Sequence, residues 1–125
     1  MNAYFGGDLY QDLPTEYDCR AEHHMQPPYD RAIHKIEVRA GSLLADIIGA
    51  GTYGVNSYHH QAIRRLAENL DAMAVSEDGL IEAVSVKGKT FIMGVQWHPE
   101  FSYEVSEESV KLIQAFVDAS ASANK

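Results

Sequence analysis

The chain has almost no cysteine and no block of positive charge, and each absence narrows what it can be. One cysteine, Cys19, in 125 residues excludes an intrachain disulfide framework and any zinc site built on paired thiolates. It fits a reducing compartment, so a cytoplasmic protein is expected. Lys and Arg number 10 against 18 Asp and Glu, for a formal net charge of −8, and no Lys/Arg cluster occurs anywhere. A nucleic-acid surface or an anionic-membrane surface would need one. No apolar run approaches the length of a bilayer span. The first residues, Met1 to Gly7, lack the charged and then apolar regions of a signal peptide. Internal repeats and low-complexity tracts are also missing. What remains is 46% hydrophobic and 22% charged, the balance of one globular domain with its own core.

Periodicity predicts an α/β arrangement. Residues 1–7 read as the tail of a helix stopped by Gly6-Gly7, Leu9–Leu13 as a short amphipathic turn, and 14–32 as loop broken by Pro14, Pro27 and Pro28. Ile33–Ala40 reads as a strand. Ser42 caps a short helix over Leu43–Ile48 that Gly49 and Gly51 close. Tyr53–Val55 is a short strand leading into the polar turn Asn56–Gln61, and Ala62–Leu66 reads as one or two helical turns. Ala72–Ser76 and Ile81–Val86 alternate around Glu77-Asp78-Gly79 as a hairpin. Phe91–Gln96 is a buried strand. Val110, Ile113, Phe116 and Val117 mark one face of a helix over Val105–Ala119, and Ser120–Lys125 is a frayed tail.

The residues that carry chemistry follow the last strand: Gly94-Val95-Gln96-Trp97-His98-Pro99-Glu100. Pro99 biases His98 toward extended backbone, where residues i and i+2 leave on the same side. His98 and Glu100 are therefore expected together, as the base and the orienter of a nucleophilic triad. In α/β sheets, ligands sit beyond the carboxyl ends of strands, which is where this segment falls.

Gly94–Glu100 resembles the catalytic segment of class I glutamine amidotransferases. Val55-Asn56-Ser57-Tyr58-His59-His60-Gln61-Ala62 narrows the likeness to the γ-glutamyl-γ-aminobutyrate hydrolase (peptidase C26) branch. Gly6–Leu13 and Asp78–Ala83 agree with it, and the resemblance runs from Met1 to about Phe116. It implies the C-terminal portion of a three-layer, flavodoxin-like domain with a mostly parallel sheet, residues 1–125 forming one partial domain. It also implies a thiol hydrolase without a cofactor. A cysteine on a Gly-x-Cys-x-Gly turn attacks a γ-glutamyl amide, a thioester forms, and water releases glutamate, in the setting of polyamine breakdown. His98 and Glu100 would be catalytic. The Asn56–Gln61 turn would bind the α-amino and α-carboxylate end of the substrate, with Ser57, His59, His60 and Gln61 as candidates.

The resemblance puts the nucleophile a few residues before a segment like Asn2-Ala3-Tyr4-Phe5-Gly6-Gly7. The expectation is that the nucleophile, its strand and the oxyanion loop lie outside this chain. Cys19 is a poor substitute: no glycine flanks it to permit a strained elbow, and Glu16, Asp18 and Glu22 disfavour its thiolate. Exposed core surfaces should then drive self-association or pairing with a complementing N-terminal half. Two other readings stand beside the hydrolase: a non-catalytic binding or structural module, and a glutaminase subunit that passes ammonia to a synthase. Trp97 and the His59-His60 pair argue against the latter.

Six histidines invite a metal site. The adjacent pairs His23-His24 and His59-His60 point opposite ways on a strand and lack i, i+4 spacing, so no metal is expected. His23 and His24 are read as part of the substrate rim, with Tyr29, Tyr53 and Tyr58 as candidate lining.

Overall fold

A computed structural model describes residues 1–123. Seven strands form one sheet: β1 (Asp8–Tyr10), β2 (His34–Val38), β3 (Gly51–Val55), β4 (Ala62–Arg65), β5 (Leu70–Ser76), β6 (Ile81–Val86) and β7 (Met93–Val95). Three α-helices accompany them: α1 (Leu13–Glu16), α2 (Leu43–Ile48) and α3 (Glu107–Ala123). The strand order is β1-β4-β6-β5-β2-β3, with β7 paired to β6 beyond the end of β4. The α/β class stands, but every pairing is antiparallel, in place of the mostly parallel sheet expected. For β5–β6 and β6–β7 the physical reason is connection length: the links 77–80 and 87–92 are short, and a parallel crossover needs a dozen residues or more.

The β5–β6 hairpin closes as its sequence dictates. Gly79 takes φ +93°, a left-handed conformation that a side chain resists. Ser76 Oγ donates to Asp78 Oδ1 and accepts from the Leu80 N–H. In α2, the Ser42 hydroxyl accepts from the Ala45 N–H at 3.1 Å, satisfying one of the helix's free donors.

Three apolar clusters hold the sheet. The largest joins Ile36, Val38, Leu44, Val55, Met73, Ala74, Ala83, Trp97 and Leu112. A second gathers Ala67, Leu70, Val84 and Val86, and a third Leu13, Ala62 and Leu80. Ala83 belongs to the first and its neighbour Val84 to the second. Successive strand residues face opposite ways, so both faces of β6 are covered.

Several local expectations give way to tertiary contacts. Residues 1–7 are turn, not helix. They are fastened by Asn2, whose amide donates to the carbonyls of Asp8 and Arg65 and accepts from the Ala67 N–H. Gly7 is obligatory there, because a Cβ would lie 2.1 Å from Asn2 Oδ1. Residues 9–13 supply the end of β1 and the start of α1 in place of an amphipathic turn. Residues 62–66, read as helical, form β4 between β1 and β6. On α3 the stripe Val110, Ile113, Phe116 and Val117 stays exposed, while Ser109 and Leu112 turn inward. The helix also runs on through Ala123, over part of the tail expected to fray; the last two residues lie outside the described range.

Candidate active site

The segment after β7 is pinned from three directions. The Gln96 N–H donates to the Glu82 carbonyl, and Trp97 is sunk in the main core. Asn56, 3% exposed, then clasps the backbone of His98. Its Oδ1 accepts from the His98 N–H at 2.8 Å, and its Nδ2 donates to the His98 carbonyl at 2.8 Å and to the Tyr29 carbonyl at 2.9 Å. Pro99 opens a 3-10 turn over Pro99–Phe101, closed by the Phe101 N–H to the His98 carbonyl. The sequence predicts extended backbone through this segment. Instead His98 sits at φ −118° and ψ 83°, and the chain coils immediately afterwards.

The two side chains nonetheless meet. His98 Nδ1 lies 2.7 Å from Glu100 Oε1. A carboxylate only accepts, so this contact puts the ring proton on Nδ1 and the lone pair on Nε2. Nε2 is 3.4 Å from the Tyr58 carbonyl oxygen. That carbonyl offers nothing to a neutral ring but accepts from an imidazolium. The pair therefore favours a base that becomes positively charged as it takes a proton. The Phe101 ring stacks on His98 with centroids 5.0 Å apart and fixes its plane. The Tyr58 ring stands edge-on to His98 with centroids 6.5 Å apart; His24 stacks on Tyr58 and Tyr29 meets it edge-on.

His98 is partly open, with 31% of its side chain exposed. One cleft, about 430 Å³, lies between β3 and α3 and touches Asn56 and Trp97 but neither His98 nor Glu100. A second apolar groove, about 240 Å³, runs between β7 and α3 past Pro99.

The four residues assigned to substrate do not gather beside His98. Ser57 is fully buried and its hydroxyl donates to the His23 carbonyl at 2.9 Å. His59 also turns inward: Nδ1 contacts the Gln61 carbonyl at 2.7 Å and Nε2 faces Glu82. His60 is open to solvent, 3.9 Å from Asp12, and Gln61 donates to Gln11. Of the rim candidates, His24 reaches the aromatic patch, whereas His23 is buried, with Nε2 2.7 Å from Asp78 Oδ2. Burial pushes the Asp78 carboxyl up, but hydrogen bonds from Ser76, His23 and the Ala21 N–H outweigh it and leave the group below its ordinary value.

Cys19 shares a corner with His23 and Asp78. Burial first, then the charges of Asp78 and Asp18, push its thiol up, away from the thiolate a nucleophile needs. Nε2 of His23 is engaged by Asp78 at 2.7 Å, and Nδ1 is turned toward Glu82 at 3.6 Å. One further group can ligate a cation: His23, His34 and Glu82 present donor atoms within 4.8 Å of one another. Asn56 is the positioning residue that sequence reading missed. Its signal was its place in the Asn56–Gln61 turn, but its partner lies 42 positions away.

Comparison with known proteins gives the same direction as the His98 segment. The sequence model of the peptidase C26 family matches residues 1–100. Protein NtpR of Enterococcus hirae is 40% identical over 119 residues, covering 94% of this chain and 49% of NtpR. The γ-glutamyl-γ-aminobutyrate hydrolase PuuD of Escherichia coli is 34% identical over 120 residues, covering 91% of this chain and 47% of PuuD. The chain spans about half the length of the curated relatives it matches. In fold, it is similar to the crystal structure of a GMP synthase component from Thermoplasma acidophilum. The TM-score is 0.71 at 17% identity, over 98% of this chain and 53% of that one. A glutamine amidotransferase of Thermotoga maritima is similar at a TM-score of 0.53 and 14% identity, over 98% of this chain and 44% of that one. The matched segment includes both the Asn56 clasp and the His98–Glu100 pair, and the chain belongs to the peptidase C26 family.

Proposed function

We propose that this chain contributes the His98–Glu100 half of a cysteine-dependent γ-glutamyl hydrolase. The observation that carries the reading is the 2.7 Å contact between His98 Nδ1 and Glu100 Oε1, with Nε2 left as the free base. In the reaction, Nε2 takes the proton of a thiol supplied by another segment. The thiolate attacks the γ-carbonyl, and the amine leaves with the proton from His98. Water, deprotonated by the same ring, then opens the thioester and frees glutamate. Glu100 keeps the ring in one tautomer, and the Tyr58 carbonyl accepts from the imidazolium between steps. Of the four substrate candidates in the Asn56–Gln61 turn, His60 and Gln61 are the more accessible and the ones available to the charged end of the substrate.

The sulfur is proposed to come from the half of the family domain that the relatives have beyond this match. The apolar groove between β7 and α3 is the place for that half to dock: Phe91, Met93, Ile113 and Phe116 line it, and Pro99 brings it beside the pair. The exposed stripe on α3 continues the same surface. Protein seated there would also enclose the open side of His98.

The test is glutamate release from γ-glutamyl-γ-aminobutyrate. The chain alone is expected to give none. The complex co-purified with the N-terminal half of PuuD is expected to give turnover that His98→Ala removes. Turnover by the chain alone that Cys19→Ser abolishes would overturn the reading, as would turnover of the complex that survives His98→Ala.

A further inference from the structure

Beneath the turn that carries Tyr58 lies a knot of buried groups that the hydrolytic reading does not use. Glu82 on β6 is 1% exposed, and neither carboxylate oxygen has a hydrogen-bond partner among the described residues. An isolated carboxylate so placed carries a large desolvation cost unless a cation or a proton compensates it. Three imidazoles surround it. His23 Nδ1 lies 3.6 Å from Glu82 Oε1, His59 Nε2 3.7 Å and His34 Nε2 3.9 Å.

The protonation of each ring follows from its other nitrogen. His23 Nε2 faces the Asp78 carboxylate, His59 Nδ1 the Gln61 carbonyl and His34 Nδ1 the Lys35 carbonyl. All three partners are acceptors, so those nitrogens carry the protons. The remaining three nitrogens present lone pairs. Together with the two oxygens of Glu82, they make five buried atoms with no hydrogen-bond partner. Five acceptors and no donor around one point describe a site for a cation.

The spacing agrees. Separations of 3.6–3.9 Å are too long for hydrogen bonds to Glu82. Donors about 2.1 Å from one zinc ion stand about 3.4 Å apart at tetrahedral angles. The donor atoms of His23, His34 and Glu82 lie within 4.8 Å of one another; His59 Nε2 stands 3.7 Å from the same oxygen of Glu82 but outside that group of three. The Asp78–His23 contact is the carboxylate–histidine arrangement that orients metal-bound imidazoles. Imidazoles with one carboxylate select a first-row transition ion over calcium or magnesium, which prefer all-oxygen shells.

We propose that His23, His34 and Glu82 bind one divalent transition-metal ion, zinc being the natural fit, as a structural site that His59 closes by turning its ring inward. It joins two strands, β2 and β6, to the loop at residue 23 and the turn at residue 59. That turn also holds Asn56 and Tyr58, so the ion would stiffen the support of His98 without touching substrate.

The test uses the intact chain. It is stripped with a chelator, and zinc is then returned with metal content and melting temperature followed. Cobalt(II) uptake is read separately by its visible absorption. Expected are about one ion per chain, a melting temperature lowered by the chelator and restored by zinc, and the intense cobalt bands of a tetrahedral site. Glu82→Gln should abolish stoichiometric uptake, and Asp78→Asn should weaken it about 10–100-fold. His60→Ala, an exposed neighbour, should leave it unchanged. If the wild-type chain takes up no stoichiometric zinc or cobalt and its melting temperature ignores both chelator and zinc, the cluster shares a proton and the proposal fails. It fails equally if Glu82→Gln binds as the wild type does. The wild-type measurements decide the matter even where a variant does not fold.

Discussion

A single amide, that of Asn56, decides where the imidazole of His98 stands. It supplies both a donor and an acceptor to the His98 backbone and a second donation to Tyr29. Asn56→Ala strands these groups in a site that is 3% exposed. The cost expected from unpaired buried polar groups is about 1–3 kcal/mol, measured by urea unfolding. The His98–Glu100 pair itself was legible, because two residues separated by one proline meet through local geometry. Its clasp was not legible, since nothing in a linear string ties position 56 to position 98. The same blindness hid where Ser57 and His59 point. A polar turn can aim its side chains outward or inward, and here the burial of Glu82 draws the histidines in.

Elements set by local signals came out as the sequence implied. Ser42 and Gly49 bracket α2, and Gly79 turns the β5–β6 hairpin. Ala62–Arg65 went the other way. Its residues tolerate a helix, and only pairing with β1 and β6, remote in sequence, makes it a strand. Asp8 reinforces that pairing with an ion pair to Arg64 at 2.9 Å and one to Arg65 at 3.3 Å. The hydrogen bond from Arg64 draws the Asp8 carboxyl below its ordinary value of 3.8, against the opposing effect of burial and with help from both arginine charges and the Arg65 N–H. A carboxyl depressed by folding stabilises the native state above its unfolded pKa, and that contribution disappears as pH falls through the folded value. The wild-type chain should therefore lose stability relative to Asp8→Asn as pH drops below about 4, in paired thermal melts. The two melting curves should keep a constant offset at neutral pH.

At the scale of the molecule, a sheet whose clusters are well filled carries one surface that is not. Val110, Ile113, Phe116 and Val117 on α3 form a continuous exposed apolar stripe beside the groove that passes Pro99. Periodicity predicted the stripe. Amphipathic spacing shows which face is apolar and leaves open what covers it. A patch of this kind seeks a partner. In sedimentation velocity, the chain by itself should associate, and Phe116→Glu should shift it toward monomer. A monomeric wild-type chain with cooperative unfolding would contradict the assignment of this face to docking. The metal cluster was illegible for a related reason: its four side chains come from two strands, a loop and a turn, so no spacing rule brings them together.

The most direct measurement is steady-state turnover of γ-glutamyl-γ-aminobutyrate by the complementing complex, with Glu100→Gln set against wild type. A glutamine keeps the shape but removes the charge that holds the imidazole in one tautomer and stabilises its protonated form. The expected result is a fall in kcat of about 10²–10⁴-fold with KM nearly unchanged. An unaltered kcat would show that His98 works without its neighbour, and the triad reading of this segment would be wrong.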